Sequence, residues 1–239
     1  GKGDWLMKKQ IAALLLAAIP MFGFAADGAY PLDKVSIDLT DKAALQDGAQ
    51  TFANYCMGCH GAKFQRYERV ATDLGISEEL MMDNLVFPDV KFGDHMKSSM
   101  RNDDAKLWFG APPPDLTMVA RVRGADWLYT YMRTFYEDPS RPYGVNNKVF
   151  PLVGMPNVLV GLQGRQEIGC KQVQMVEDGK KVFDPLTGVP LTHEACDQLT
   201  IVPNTGTLNE EQFDEKIKNL VTFLEYSANS VKLKSQRIG

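Results

Sequence analysis

The chain has 239 residues, of which 44% are hydrophobic and 23% charged, enough apolar mass for a packed core and too much for a disordered chain. Its net charge is −4; leaving out residues 1–25, which hold Lys2, Lys8, Lys9 and Asp4, leaves 23 basic against 29 acidic groups. A mildly acidic surface argues against nucleic acid as a partner and suits a basic protein, or serves solubility alone.

Residues 1–25 read as an export signal. Met7-Lys8-Lys9 is a short basic start, Ile11–Ile19 an apolar run of nine, and Gly23 and Ala25 supply small residues where a signal peptidase reads. Residues 1–6 fall upstream of the expected start at Met7. Nine residues are short of the roughly 20 that span a bilayer, although the stretch counted on to Ala26 leaves an uncleaved anchor as the alternative. Export matters for the four cysteines, because thiols outside the cytoplasm pair or carry cofactors.

Residues 27–39 read as an extended arm. Thr40 is the expected N-cap of a helix running to about Asn54, with Leu45, Ala49, Phe52 and Cys56 along one face. From Gly61 to Arg101 the pattern predicts loops and one short helix over Ser77–Leu85, capped by Ser77. Pro112, Pro113 and Pro114 stiffen a loop, and Asp126–Tyr136 reads as an aromatic-rich helix. Pro139–Pro151 is expected to be loop. Residues 165–205 differ in character, and "VEDGKKVF" resembles a turn between two short strands. In the last segment Thr207 and Glu210 suggest a capping box, and Phe213, Ile217, Leu220 and Leu224 mark one buried stripe. Gly48 and Phe52 on the first helix are expected to meet Leu220 and Phe223 on the last.

The chemistry centres on Cys56-Met57-Gly58-Cys59-His60. A structural zinc site wants four ligands, commonly as two paired clusters, and Cys170 and Cys196 do not form a second C-x-x-C. A thioredoxin-like dithiol wants a βαβ context, whereas this pair closes a helix among helical neighbours. Neither reading uses the adjacent histidine. Covalent haem uses all three residues: Cys56 and Cys59 bond the two vinyl groups of one porphyrin and His60 becomes the proximal ligand. One motif implies one haem c.

What fills the other side of the iron decides between electron transfer and open-site chemistry. Met155 is the leading candidate, since glycine and proline flank it in "VGMPNV" and fix the loop that presents it; His95 is its rival. Met81, Met82, Met118 and Met132 read as core filler. Cys170 and Cys196 are expected to form a disulfide holding the 165–205 insertion, with two unpaired thiols as the alternative.

Taken together, the haem motif, "RYERVATDLGI", "PPDLTMVARVRG", "GMPNVL" and the closing amphipathic helix resemble the cytochrome c1 family, from about Tyr30 to Gly239. The resemblance implies a mainly α, class I cytochrome c-like haem domain over 26–206 with long loops; the small β-like insertion at 165–205 and its cysteine pair are read from the local sequence and not from the family. A helix over 207–239 would lead to a membrane anchor that the chain, ending at "KLKSQRIG", does not contain. It implies Cys56 and Cys59 as thioether anchors, His60 and Met155 as axial ligands, and Arg123 facing a haem propionate. Pro112, Pro113, Pro114 and Leu116 would form part of the haem wall. A solvated charge at a helix end is the alternative for Arg123, and ordinary loop stiffening for the prolines.

The family role is that of the haem subunit of the ubiquinol–cytochrome c reductase, the cytochrome bc1 complex, on the periplasmic side of the bacterial inner membrane. Its partners are cytochrome b, the Rieske iron–sulfur protein as donor and a cytochrome c as acceptor, in a dimeric complex. Substrate chemistry at the haem itself is not implied. The alternatives are an independent soluble periplasmic electron shuttle, and a haem enzyme or gas sensor with an open sixth position.

Overall fold

The computed structural model describes residues 30–230 except 88 and 178, so the expected export signal at residues 1–25 and residues 231–239 lie outside the described residues. Helix α1, Lys42–Thr51, begins at Asp41, whose side chain accepts from the Ala44 amide at 3.0 Å. The expected cap, Thr40, is one residue early because Asp38 captures both its amide and its hydroxyl in a local turn. α1 runs into one π-helical turn, Phe52–Cys56, that delivers the haem-type motif. Such turns carry a bulge in the helix and often lie at functional positions.

The stretch predicted as loop is more structured. Strand β1, Ala62–Arg66, pairs antiparallel with β2, His95–Met96, and helix α2, Tyr67–Leu74, lies between them in the chain. Helix α3, Glu78–Leu85, is capped by Ser77 as its sequence suggests. Helices α4, Asn102–Phe109, and α5, Val119–Arg123, bracket the triproline loop. The aromatic helix is α6, Ala125–Arg133, three residues shorter than expected at its C-terminus. Thr134 ends it by bonding back to the Thr130 carbonyl, and the chain turns into β3, Phe135–Glu137, paired with β4, Val145–Asn147.

A single turn α7, Val160–Gln163, leads to the insertion. There β5, Gln166–Gln174, pairs with β8, Thr192–Ile201, and the small hairpin of β6, Val176–Glu177, with β7, Lys180–Lys181, lies between them in the chain. The register slips by one between Gly169–Gln198 and Lys171–Ala195, and Cys170 and Cys196 are joined at that slip. Lys148 Nζ and Arg165 tie this exposed arm to the body through Asp197 O and Glu137.

Helix α8, Glu210–Ala228, closes the chain. Its capping box is Asn209 with Gln212, each side chain bonding the other's backbone amide, two residues later than predicted. Thr207 is engaged elsewhere, its hydroxyl and amide both on the Gly161 carbonyl. The predicted stripe of Phe213, Ile217, Leu220 and Leu224 is buried. α1 and α8 cross in contact: Phe52 and Phe223 lie 5.5 Å apart with rings tilted at 42°. Around this crossing Leu45, Val70, Leu74, Met81, Ile217 and Tyr226 complete the core, so Met81 and the buried Met132 are packing residues as read. Among the described residues no helix is long and apolar enough to cross a membrane.

Candidate haem site

The π-helical turn sets the geometry of the motif. The Met57 amide reaches back to the Phe52 carbonyl at 3.0 Å, and the amides of Cys59 and His60 both bond the Cys56 carbonyl, at 3.1 and 2.8 Å. The two cysteines are thereby held one tight turn apart and His60 is drawn against the same turn. Cys56 is buried, Cys59 half-buried, and both are free thiols. Burial, with the Cys59 thiol beside it, pushes the Cys56 thiol up to about 12.

His60 is oriented by the triproline loop. Its Nδ1 lies 2.7 Å from the Pro114 carbonyl oxygen. A carbonyl only accepts, so Nδ1 carries the proton and Nε2 keeps its lone pair for a metal. Burial holds the imidazole below its ordinary value, against the opposing pull of the Pro114 carbonyl and Asp115. The neutral ring is the form that ligates. The loop is itself laced down: Leu116 N bonds Gly61 O at 2.7 Å, Asp115 accepts from the amides of Lys63 and Thr117, and Thr117 Oγ1 donates to it. A Cβ on Gly61 would stand 3.1 Å from the Ser98 amide and 3.2 Å from Asp115, so the close seating of the loop depends on that glycine. Pro113 lines a cleft of about 360 Å³ with Cys59, Lys97, Ser98, Met100 and Pro112.

Met155 is half-buried against the core in the loop between β4 and α7. That loop is shaped by two adjacent asparagines. Asn147 Oδ1 accepts from Val149 and Phe150 while its Nδ2 donates to the Tyr131 carbonyl; Asn146 Oδ1 accepts from Asn147 and Leu152. Arg141 donates to the Leu152 and Val153 carbonyls. Leu152 is held at φ 62°, a left-handed conformation costing a non-glycine residue about 1–3 kcal/mol, which this network sustains. The Tyr131 hydroxyl donates to Met155 Sδ at 3.5 Å.

Arg123, the last residue of α5, is exposed and stacked 4.9 Å over Trp127 and 5.8 Å from Phe150. Among the described residues it has no carboxylate partner, which leaves its donor fork for an anion. His95 sits in β2 against Arg66, its buried Nδ1 without a partner, and the exposed His193 is far along the insertion on β8.

The residues present therefore fit haem c: two free thiols and a tautomer-fixed imidazole on one turn, a thioether in a braced loop, and an uncommitted guanidinium beside aromatic rings. Asn146, Asn147, Tyr131 and the carbonyl of Pro114 escape a reading of the sequence, although the Asn-Asn pair is a turn signal that marks the loop.

Comparisons with known proteins identify the family. The model of the Cytochrome C1 family matches residues 33–167. Cytochrome c1 of Allochromatium vinosum is 44% identical over 233 residues, covering 98% of this chain and 89% of that protein. The ammonia monooxygenase gamma subunit of Nitrosomonas europaea is 39% identical over 221 residues, 92% of this chain and 82% of that one. Cytochrome c1 of Rhodospirillum rubrum is 30% identical over 122 residues, 43% and 44% of the respective chains. The chain belongs to the cytochrome c1 family, the haem c-bearing, electron-carrying subunits that work with cytochrome b and the Rieske protein in the membrane-associated ubiquinol–cytochrome c reductase.

Proposed function

We propose that this chain takes single electrons from the reduced Rieske centre and passes them to a c-type cytochrome, with no bond of a substrate made or broken at its own site. Cys56 and Cys59 would hold the haem through thioether bonds, His60 and Met155 would ligate its iron, Arg123 would pair a propionate and Pro113 would belong to the wall. The observation that carries this is the bond from His60 Nδ1 to the Pro114 carbonyl, which commits the imidazole to ligation through Nε2. When bound, haem c supplies a one-electron iron couple, and thioether ligation favours its ferrous state.

The chain's own residues do the rest. The laced 114–117 loop fixes His60, the Asn146–Asn147 network fixes Met155, and neither ligand has to reorganise when the charge changes. The stacked Arg123 sets a positive charge beside Trp127, where a carboxylate of the porphyrin would find a forked donor. In this reading residues 26–206 are the haem domain, 165–205 an insertion pinned by the Cys170–Cys196 bridge, and α8 the closing helix that leads toward a membrane anchor. The export signal read from residues 1–25 supports the periplasmic side of the inner membrane, and membership of the cytochrome c1 family supports a dimeric complex.

The test is an optical spectrum of the purified protein in both redox states, with Met155→Leu beside it. Low-spin iron with a methionine–iron charge-transfer band in the near infrared, lost in the variant, is the expected result. High-spin iron that binds carbon monoxide readily would transfer the protein to the enzyme or gas-sensor class. The similarity to the Nitrosomonas europaea subunit raises a second association, with a monooxygenase. Copurification from solubilised membranes separates the two: cytochrome b and Rieske subunits are expected, monooxygenase subunits argue for the second, and neither for a soluble shuttle.

A further inference from the structure

We propose that the exposed 165–205 arm carries a thiolate metal site: once the Cys170–Cys196 bridge is reduced, the two sulfurs and the Glu194 carboxylate hold one divalent ion of the zinc class, with water in the fourth position. The inference concerns the arm alone and does not rest on the ligands of the haem.

The donors converge at one point of the arm. Cys170 Sγ, Cys196 Sγ and a Glu194 carboxylate oxygen all lie within 4.8 Å of one another, and all of these residues are exposed. Glu194 and Cys196 are alternate residues of β8 and share a face, whereas His193 falls on the opposite one. Cys170 reaches the same place from β5, at the register slip between Gly169–Gln198 and Lys171–Ala195. Among the described residues no ion pair engages Glu194, which leaves its charge for a cation.

The ladder, and not the bridge alone, keeps the sulfurs together. Paired residues flank the slip on both sides, from Gln166–Ile201 to Gln174–Thr192, so β5 and β8 stay in register when the S–S bond opens. Two sulfurs each ~2.3 Å from a tetrahedral ion stand ~3.7 Å apart, a separation that side chains on facing strands span readily. Two thiolates and a carboxylate suit zinc, a borderline-soft ion that takes sulfur and oxygen donors alike.

Exposed bridges are the labile ones. A dithiol reductant attacks the bridge, gives up two electrons and two protons and closes its own disulfide, leaving Cys170 and Cys196 as thiols. Each thiol releases its proton on binding the ion, so uptake weakens as pH falls. The ion then replaces the bridge as the cross-link, closing the same loop of sequence separation 26.

The experiment takes the haem-loaded full chain, bridged or reduced with dithiothreitol and desalted without air, and dialyses it against buffered Zn2+. Bound zinc, free thiols and protease cleavage within the arm are measured. The bridged protein is expected to take up no zinc and the reduced one a single ion per chain, with zinc restoring the protease resistance of the bridged arm. The double variant Cys170→Ser, Cys196→Ser keeps Cys56 and Cys59 and should bind none under either condition, which separates the arm from the haem turn. Glu194→Gln should bind about tenfold more weakly with an unchanged thiol count. A bridge that withstands the dithiol, a reduced arm that takes up no zinc, or uptake as great in the bridged protein or the double variant overturns the inference. So does a Glu194→Gln protein with wild-type affinity, since the site would then lack its carboxylate ligand.

Discussion

Gly48 and Asn219 meet so closely that a Cβ built on Gly48 would lie 2.0 Å from the Asn219 carbonyl oxygen and 2.8 Å from Phe223 Cβ. No side-chain rotation relieves a clash with backbone, so the crossing of α1 and α8 admits only glycine. Asp47, the neighbour of Gly48, receives Asn219 Nδ2 at 3.0 Å and pairs with Lys216, fixing the register of the two helices at the same point. Gly48→Ala is expected to force the helices apart and destabilise the domain by ~3 kcal/mol, despite the helix propensity gained by alanine. A denaturation midpoint equal to wild type would show that the two helices part at that point at little cost.

That contact was legible in advance because it is a matter of period. Gly48, Phe52, Leu220 and Phe223 declare a shared face by their spacing, and the glycine among larger residues marks the close approach. The haem motif was legible because five consecutive residues carry all of it. What could not be read were choices between equal local signals. Thr40 and Asp41 are both good caps until Asp38 captures the first, and Thr207-x-x-Glu210 competes with Asn209-x-x-Gln212 until Gly161 claims the threonine. Nor does any local pattern announce that the hydroxyl of Tyr131 reaches Met155, since that contact depends on the tertiary path of the loop.

Residues 33–35 are clasped onto α6, and the clasp is pH-dependent. Asp33 N donates to Thr130 Oγ1 and its carboxylate pairs with Arg133, while Asp126 accepts from Lys34 Nζ at 2.7 Å and from the Val35 amide at 3.0 Å. The Lys34 ammonium, then the Val35 amide, hold the Asp126 carboxyl below its ordinary 3.8. A depressed carboxyl stabilises the fold above its unfolded value and loses that contribution as pH falls through the folded one. Lys34 is 88% exposed, so the effect is screened and well under ~1 kcal/mol. Asp126→Asn should therefore be slightly less stable than wild type at pH 7 and converge with it as pH falls below the ordinary carboxyl value and through the lowered one, measured by urea midpoints. A gap that persists unchanged into acid would assign the loss to packing.

The Cys170–Cys196 bridge closes a loop of sequence separation 26 on an arm whose two cysteines are both exposed. Chain entropy puts its value at ~3.5 kcal/mol, expressed in the order of the arm. The double variant Cys170→Ser, Cys196→Ser should be cut faster by protease within the arm while its haem spectrum and midpoint stay unchanged. A shifted spectrum would instead make the insertion part of the haem pocket.

Asn147 is the residue on which the Met155 loop turns. It is 1% exposed, and its amide serves three backbone groups at once: the amides of Val149 and Phe150 and the carbonyl of Tyr131. Truncation strands all three in a place water does not readily reach, at a cost of about 1–3 kcal/mol for each group that stays unsatisfied. The loop it releases runs from Lys148 through the strained Leu152 to Met155, so the damage should concentrate on the distal side of the haem. Asn147→Ala is expected to lose ~2–4 kcal/mol of stability and to weaken the methionine–iron band, with carbon monoxide binding appearing as a fraction of molecules lose the sixth ligand. In the ligation proposed above His60, held by the separate Pro114 loop, should remain bound, so that the fraction without the sixth ligand is high-spin with its proximal ligand intact. If the variant loses stability but keeps a full-strength band, the loop draws its rigidity from Arg141 and Asn146 instead, and Asn147 serves the core alone.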